Sequence, residues 1–217
     1  MGEIVRLPSG AELRLTGGGP DAVVCVDGGG GKDVPGTWSA ALEWLVGRVS
    51  PLFPAVRFGE VRYRVKSWRR LRLCVEDARE ALEVTKGRRA LLVGYSLGGA
   101  VAISAAGEPG VAGVVGLAPW IPEELDLTPL LGRRLAVLHG SLDRPLPGVP
   151  GVSPAVSRRG FERARALGVE ASYTLVPRGL HGIALRARGG RLVPLPRADV
   201  WARLLAAEIG RFAPRSR

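Results

Sequence analysis

Strand and helix signals alternate along this chain, which makes it an α/β protein with a parallel sheet covered by helices on both faces. Three observations carry that assignment. Short apolar runs rich in β-branched residues recur at Ala22–Val26, Ala90–Gly94, Val111–Leu117, Arg134–His139 and Val169–Val176. Between them, apolar residues repeat every three or four positions, the period of a helix with one buried face. The 217 residues are 46% hydrophobic and include two cysteines, enough for one domain with a sizeable core and no need of disulfides.

In chain order, Ile4–Leu7 and Glu12–Thr16 read as a hairpin around Pro8-Ser9-Gly10. After Gly17-Gly18-Gly19-Pro20, the run Ala22–Val26 suits a central strand buried on both faces. Trp38, Leu42, Leu45, Val46 and Val49 then repeat at helical spacing, and Val56–Val65, with alternating Val61, Tyr63 and Val65, reads as a strand. Leu71, Val75, Ala78 and Leu82 form the next helical stripe, closed by Lys86-Gly87. Strand Ala90–Gly94 leads into helix Leu97–Ala106, followed by strands Val111–Leu117 and Arg134–His139. Ala155–Leu167 is a weakly patterned helix and Val169–Val176 a strand. Trp201, Leu204, Leu205, Ile209 and Phe212 mark the last helix before a basic tail at 214–217. No internal repeat or second core interrupts the pattern, so residues 1–217 are expected to form a single domain, with 1–20 as its N-terminal hairpin.

Net charge is +11, from 31 basic and 20 acidic residues, and of the basic ones only Lys32, Lys66 and Lys86 are lysine. Such a balance admits a polyanion partner, but no basic run or aromatic-interleaved patch concentrates it, so no nucleic-acid partner is expected. Cys25 and Cys74 lie in apolar patterns without metal-site or redox spacing and read as small buried hydrophobes. No basic and apolar leader opens the chain. The uncharged stretch Ala90–Gly107 reaches only the short end of the membrane-spanning range, and its glycines and serines fit a strand, turn and helix better. The expectation is a soluble cytoplasmic protein with no membrane association; oligomeric state is not legible.

Gly94-Tyr95-Ser96-Leu97-Gly98 matches G-x-S-x-G. With 31 glycines in the chain the pattern alone is weak, so its context matters. It directly follows an apolar strand and directly precedes a small-residue helix. A serine on so sharp a turn is pushed out above the sheet, side chains two residues away on either side would collide, and the amide of Leu97 points into the site. A nucleophilic serine needs a base, and the chain has two histidines, His139 and His181, both at strand ends. Order separates them: the sequence Ser, then Asp or Glu, then His is met by Ser96, Asp143 and His181, whereas His139 leaves no strand-end acid between itself and the serine. The loop Asp27-Gly28-Gly29-Gly30-Gly31-Lys32 follows the early central strand, where a second oxyanion amide is wanted. Gly29 or Gly30 is the expected donor, with the register open. A phosphate-binding loop fails there, because Val26 and Asp33 stand where Gly and Ser or Thr are required. Tyr95 and Trp120 are candidates to line an acyl pocket, with core packing the commoner role for such side chains.

From Ala22 to Phe212, these residues resemble an α/β-hydrolase. Gly116-Leu117-Ala118-Pro119-Trp120, His139-Gly140-Ser141-Leu142-Asp143 and Leu180-His181-Gly182 are similar to small bacterial esterases and dienelactone-hydrolase relatives. The resemblance implies an eight-stranded, mostly parallel sheet whose second strand is antiparallel, and neither metal nor organic cofactor. It implies a small ester-like substrate cleaved by Ser96, Asp143 and His181, with Leu97 and Gly29 or Gly30 holding the oxyanion. Lactonase or acyltransferase chemistry on the same residues, or a non-catalytic scaffold binding a polyanion, are the alternatives. Two departures stand out. The short segment between Leu117 and Arg134 has no room for a cap domain, and Asp27 stands where many relatives carry His. Arg186, Arg188 and Arg191 follow His181 in a segment read as a loop, 183–195, which either faces the site or is solvated.

Overall fold

A computed structural model describes residues 2–85, 87–144 and 151–213. Lys86 and the basic tail at 214–217 lie outside the described residues. The elements are β1 (Glu3–Arg6), β2 (Glu12–Thr16), β3 (Asp21–Val26), β4 (Val34–Pro35), α1 (Ala40–Val49), β5 (Val56–Arg62), β6 (Val65–Lys66) and α2 (Leu71–Thr85). They continue with β7 (Arg89–Tyr95), α3 (Leu97–Ser104), β8 (Val111–Leu117), β9 (Arg134–Gly140), α4 (Pro154–Ala166), β10 (Glu170–Val176), β11 (Ala184–Arg186), β12 (Leu192–Pro194) and α5 (Ala198–Phe212).

Eight strands form one sheet in the order β1-β2-β5-β3-β7-β8-β9-β10. β2 runs antiparallel to both neighbours, and every pairing from β5 to β10 is parallel. The period-two alternation of β3 shows why the sheet is covered twice. Val23 and Cys25 pack with Leu42, Leu45, Trp201 and Ile209 of α1 and α5. Val24 and Val26 face the other way, into a core with Cys74 and Ala78 of α2, Val101 of α3, and Phe161 and Ala164 of α4. Both cysteines are free and buried. Burial pushes the Cys25 thiol well up and that of Cys74 to about 11, which keeps both in the neutral form.

Local chemistry sets the element boundaries. Ser39 caps α1, its hydroxyl accepting from the Leu42 amide, so Trp38 of the helical stripe falls just outside the helix. Ser153 and Pro154 open α4 in the same way. Two sequence readings need correction. The strand expected over 56–65 stops at Arg62, because the Arg64 amide donates to the Asp77 carboxylate of α2 (3.0 Å) and leaves the sheet ladder. Val65–Lys66 then pairs with Val34–Pro35 instead. The segment 183–195 is not an open loop: β11 and β12 form a hairpin whose turn places Gly189 and Gly190 at φ +87°, a conformation that favours glycine. Among the described residues, no helix is long and apolar enough to cross a membrane.

Candidate active site

In a parallel sheet the strand carboxyl ends share one edge, and β7, β9 and β10 bring the expected residues together there. Ser96 sits between β7 and α3 at φ 54°, ψ −116°, a left-handed strain for a residue with a β-carbon. Its backbone is pinned: the Ser96 amide donates to Leu117 O (3.0 Å), while its carbonyl accepts from Gly99 N (2.9 Å) and Trp120 N (2.8 Å). The flanking glycines are required by close approach. A β-carbon on Gly94 would lie 2.1 Å from Gly98 O, and one on Gly98 would lie 2.1 Å from Val26 O. As the first residue of α3, Leu97 has an amide with no acceptor within the helix.

The loops after β9 and β10 are knit into each other. Gly140 approaches Gly179 so closely that a β-carbon there would meet Gly179 O at 2.5 Å, and Leu142 N donates to Gly179 O (2.9 Å). Ser141 Oγ accepts from the amide of Arg178, which is itself left-handed at φ 58°. This stitching lays Asp143 against His181. His181 Nδ1 is 2.7 Å from Asp143 Oδ2, and His181 Nε2 is 3.1 Å from Ser96 Oγ. The serine is 5% and the histidine 9% exposed, so the contacts are shielded yet reachable. The Tyr95 hydroxyl donates to the His181 carbonyl (3.1 Å), and the two rings pack at 5.3 Å. Burial pulls the Asp143 carboxyl upward, but the hydrogen bonds from His139 and His181 outweigh it and hold it below its ordinary range.

His139, set aside by chain order, is part of the cluster: its Nε2 is 2.9 Å from the same Asp143 oxygen. Sequence spacing alone offered one clue, since His139 and Asp143 are four residues apart across a tight turn. Gly140, Ser141 and Gly179 carried no separable signal, because glycine and serine are common in any loop.

The glycine-rich loop meets the elbow in register. Gly28 packs against Ser96, where a β-carbon would be 3.0 Å from Ser96 Cβ, and Gly29 lies over the Leu97 side chain. Gly30 is drawn aside into a parallel bridge with Ser67, its carbonyl accepting from Trp68 N (3.0 Å). Asp27, in the position where His was expected, is 3% exposed and pairs with Lys66 Nζ at 2.5 Å. A cavity of about 430 Å³ opens beside these residues, lined by Asp27, Lys66, Trp38, Tyr95, His181 and Arg186 among others. Tyr95 therefore both lines it and braces His181. Trp120 stacks on Trp68 (6.0 Å between rings, 21° between planes) and is tied to the site through its backbone bond to Ser96. Arg186 faces the cavity, held by Glu43 at 3.0 Å, whereas Arg188 and Arg191 are exposed at the hairpin turn. Among the described residues, no group of three or more His, Cys, Asp or Glu side chains is arranged to hold a metal ion.

No protein-family model and no curated protein sequence matches the chain. Solved structures do. The fold is similar to dienelactone hydrolase from Anabaena variabilis, at 14% identity and TM-score 0.64 over 95% of both chains. It is similar to an alpha-beta serine hydrolase homologue from Coxiella burnetii at 15% identity and TM-score 0.69, over 96% of this chain and 97% of that one. A serine hydrolase without lid from Xanthomonas campestris matches at 12% identity and TM-score 0.69, over 100% and 96%. The architecture is thus the α/β-hydrolase fold, in a form without a cap between β8 and β9. In keeping with that form, residues 118–133 between β8 and β9 hold only a 3-10 turn, Thr128–Leu130.

Proposed function

We propose that the protein is a serine hydrolase that cleaves a small ester or thioester through an acyl-enzyme. The observation that carries the proposal is the continuous line Ser96 Oγ–His181–Asp143, at 3.1 and 2.7 Å, on a strained elbow. In this reading His181 Nε2 takes the proton of Ser96 Oγ as the oxygen attacks the carbonyl carbon. Asp143 holds the ring with its proton on Nδ1 and stabilises the imidazolium that forms. The amides of Leu97 and Gly29 receive the developing oxyanion; Gly29 is favoured over Gly30, whose backbone is engaged with Ser67. The imidazolium returns its proton to the leaving group, and water, activated by the same histidine, frees the acid.

Serine in the elbow speaks against the aspartyl-ester chemistry of dehalogenase and epoxide-hydrolase relatives, and the short 118–133 connection against a lid that opens at a lipid surface. The residues define the nucleophile and not the leaving group, so esters, thioesters and lactones belong in one substrate panel. Purified protein should be labelled stoichiometrically at Ser96 by a fluorophosphonate and should turn over p-nitrophenyl esters. Ser96→Ala should lose both. A folded wild-type protein that remains unlabelled refutes the proposal.

A further inference from the structure

The Ser96–His181–Asp143 line does not end at the aspartate. His139 is fully buried at the end of β9, and its Nε2 approaches two acceptors, Asp143 Oδ2 and Val152 O, each at 2.9 Å. A nitrogen facing two acceptors carries a proton. On the other side of the ring, Nδ1 is 2.7 Å from Ser157 Oγ of α4, which donates to it in the neutral ring. Tyr173 of β10 completes the chain: with the Ser157 proton directed at Nδ1, the Tyr173 hydroxyl donates to Ser157 Oγ (3.0 Å), and Pro154 O, 3.1 Å from both hydroxyls, is the competing acceptor. Asp143 Oδ1 is occupied separately by the Val152 amide at 3.1 Å. One carboxylate oxygen is therefore shared by two imidazoles, and α4 and β10 supply the groups that hold the rear imidazole in the donating tautomer.

We infer that His139 is a positioning residue for Asp143: its Nε2–H fixes the carboxylate and draws charge from the oxygen that faces His181. The inference rests on the reading of Ser96, His181 and Asp143 given above. The contact with Val152 O would by itself satisfy the Nε2–H of a structural histidine; what sets His139 apart is that the same proton also reaches the Asp143 oxygen that faces His181. Two consequences follow from the chemistry. Without the second donor the carboxylate becomes a stronger acceptor, so the His181 imidazolium is stabilised and its titration moves to higher pH. The carboxylate also gains freedom to rotate away, which slows the chemical step more than it affects substrate binding. The ionisable groups around the pair are few. Asp143 and Tyr173, with Arg158 over the Tyr173 ring at 3.8 Å, flank His139; Asp143, Tyr95 and the Asp27–Lys66 pair flank His181, with Arg186 across the cavity.

The test uses the full-length protein, whose two histidines make ring signals easy to assign by NMR. In His139→Leu, the His181 titration should rise by about one pH unit, and kcat on a p-nitrophenyl ester should fall about tenfold with KM little changed. His139→Gln carries an amide N–H near the Nε2 position and should bring both back to within about twofold of wild type. Ser157→Ala should move both in the His139→Leu direction by a smaller amount. A structural role alone lowers the melting temperature in these variants without moving His181. The inference is overturned if His181 titrates as in wild type in folded His139→Leu or, should that variant not fold, in Ser157→Ala. A wild-type protein that neither hydrolyses esters nor reacts with a fluorophosphonate defeats the proposed function instead, and the NMR titration still decides the role of His139.

Discussion

At the residue scale, the grouping of Ser96, Asp143 and His181 was legible because the proposed serine chemistry demands few residue types in a fixed order. Ser96 announces itself through the glycines at 94 and 98, and with only two histidines the base had few places to be. What chain order could not convey is that Asp143 serves both of them, since the second contact depends on how tightly residues 139–143 turn back on themselves. Asp27 is a similar case: its partner Lys66 comes from a short strand absent from the hydropathy pattern. Asp143→Asn should leave the fold intact and lower turnover by about a thousandfold or more, because an amide no longer enforces the productive histidine tautomer. Its pH signature is separate. The Asp143 carboxyl is held below its ordinary range in the folded protein, so its stabilisation is complete above the usual carboxylate pKa of about 4 and is lost as pH falls through the depressed folded value. Urea unfolding of wild type and Asp143→Asn should therefore differ most near neutrality, and the gap should narrow in acid.

At the element scale, parallel strands were the easiest feature to read, since burial on both faces leaves uninterrupted apolar runs such as Ala22–Val26. Short strands were missed for the opposite reason. β6 and β12 span two and three residues, too few for any period to emerge, although Gly189-Gly190 between two alternating runs was a hairpin signal in plain view. Elbow packing makes a sharp prediction. In Gly98→Ala the new β-carbon meets Val26 O at 2.1 Å, backbone against backbone, and should separate α3 from β3 at a cost of about 2–4 kcal/mol. Gly31 lies in open space at a negative φ, so Gly31→Ala should change stability by less than about 1 kcal/mol in either direction. Parallel urea titrations of the two variants check both values.

At the scale of the whole molecule, the net charge is +11, with no long basic run along the chain. Arg14, Arg48, Arg62, Arg64, Arg70 and Arg134 all engage carboxylates, so part of the basic set is locally neutralised. The short 118–133 connection is the more telling property, because it places no cap over the strand ends between β8 and β9. Strand order also bears on how the protein comes to life during folding. Ser96 follows β7, Asp143 follows β9 and His181 follows β10, so no two of the three share a strand, and the last to arrive belongs to the outermost parallel pairing. An intermediate with a finished β3–β7–β8 centre but an unzipped β10 would own its nucleophile and lack its base. Recovery of fluorophosphonate reactivity after dilution from urea should therefore lag the return of helical circular dichroism and coincide with protection of the β9–β10 amides from hydrogen exchange. Reactivity that returns ahead of that protection would contradict this order. On the proposed function, the reactivity of Ser96 is thus a built-in clock for closure of the sheet's final seam.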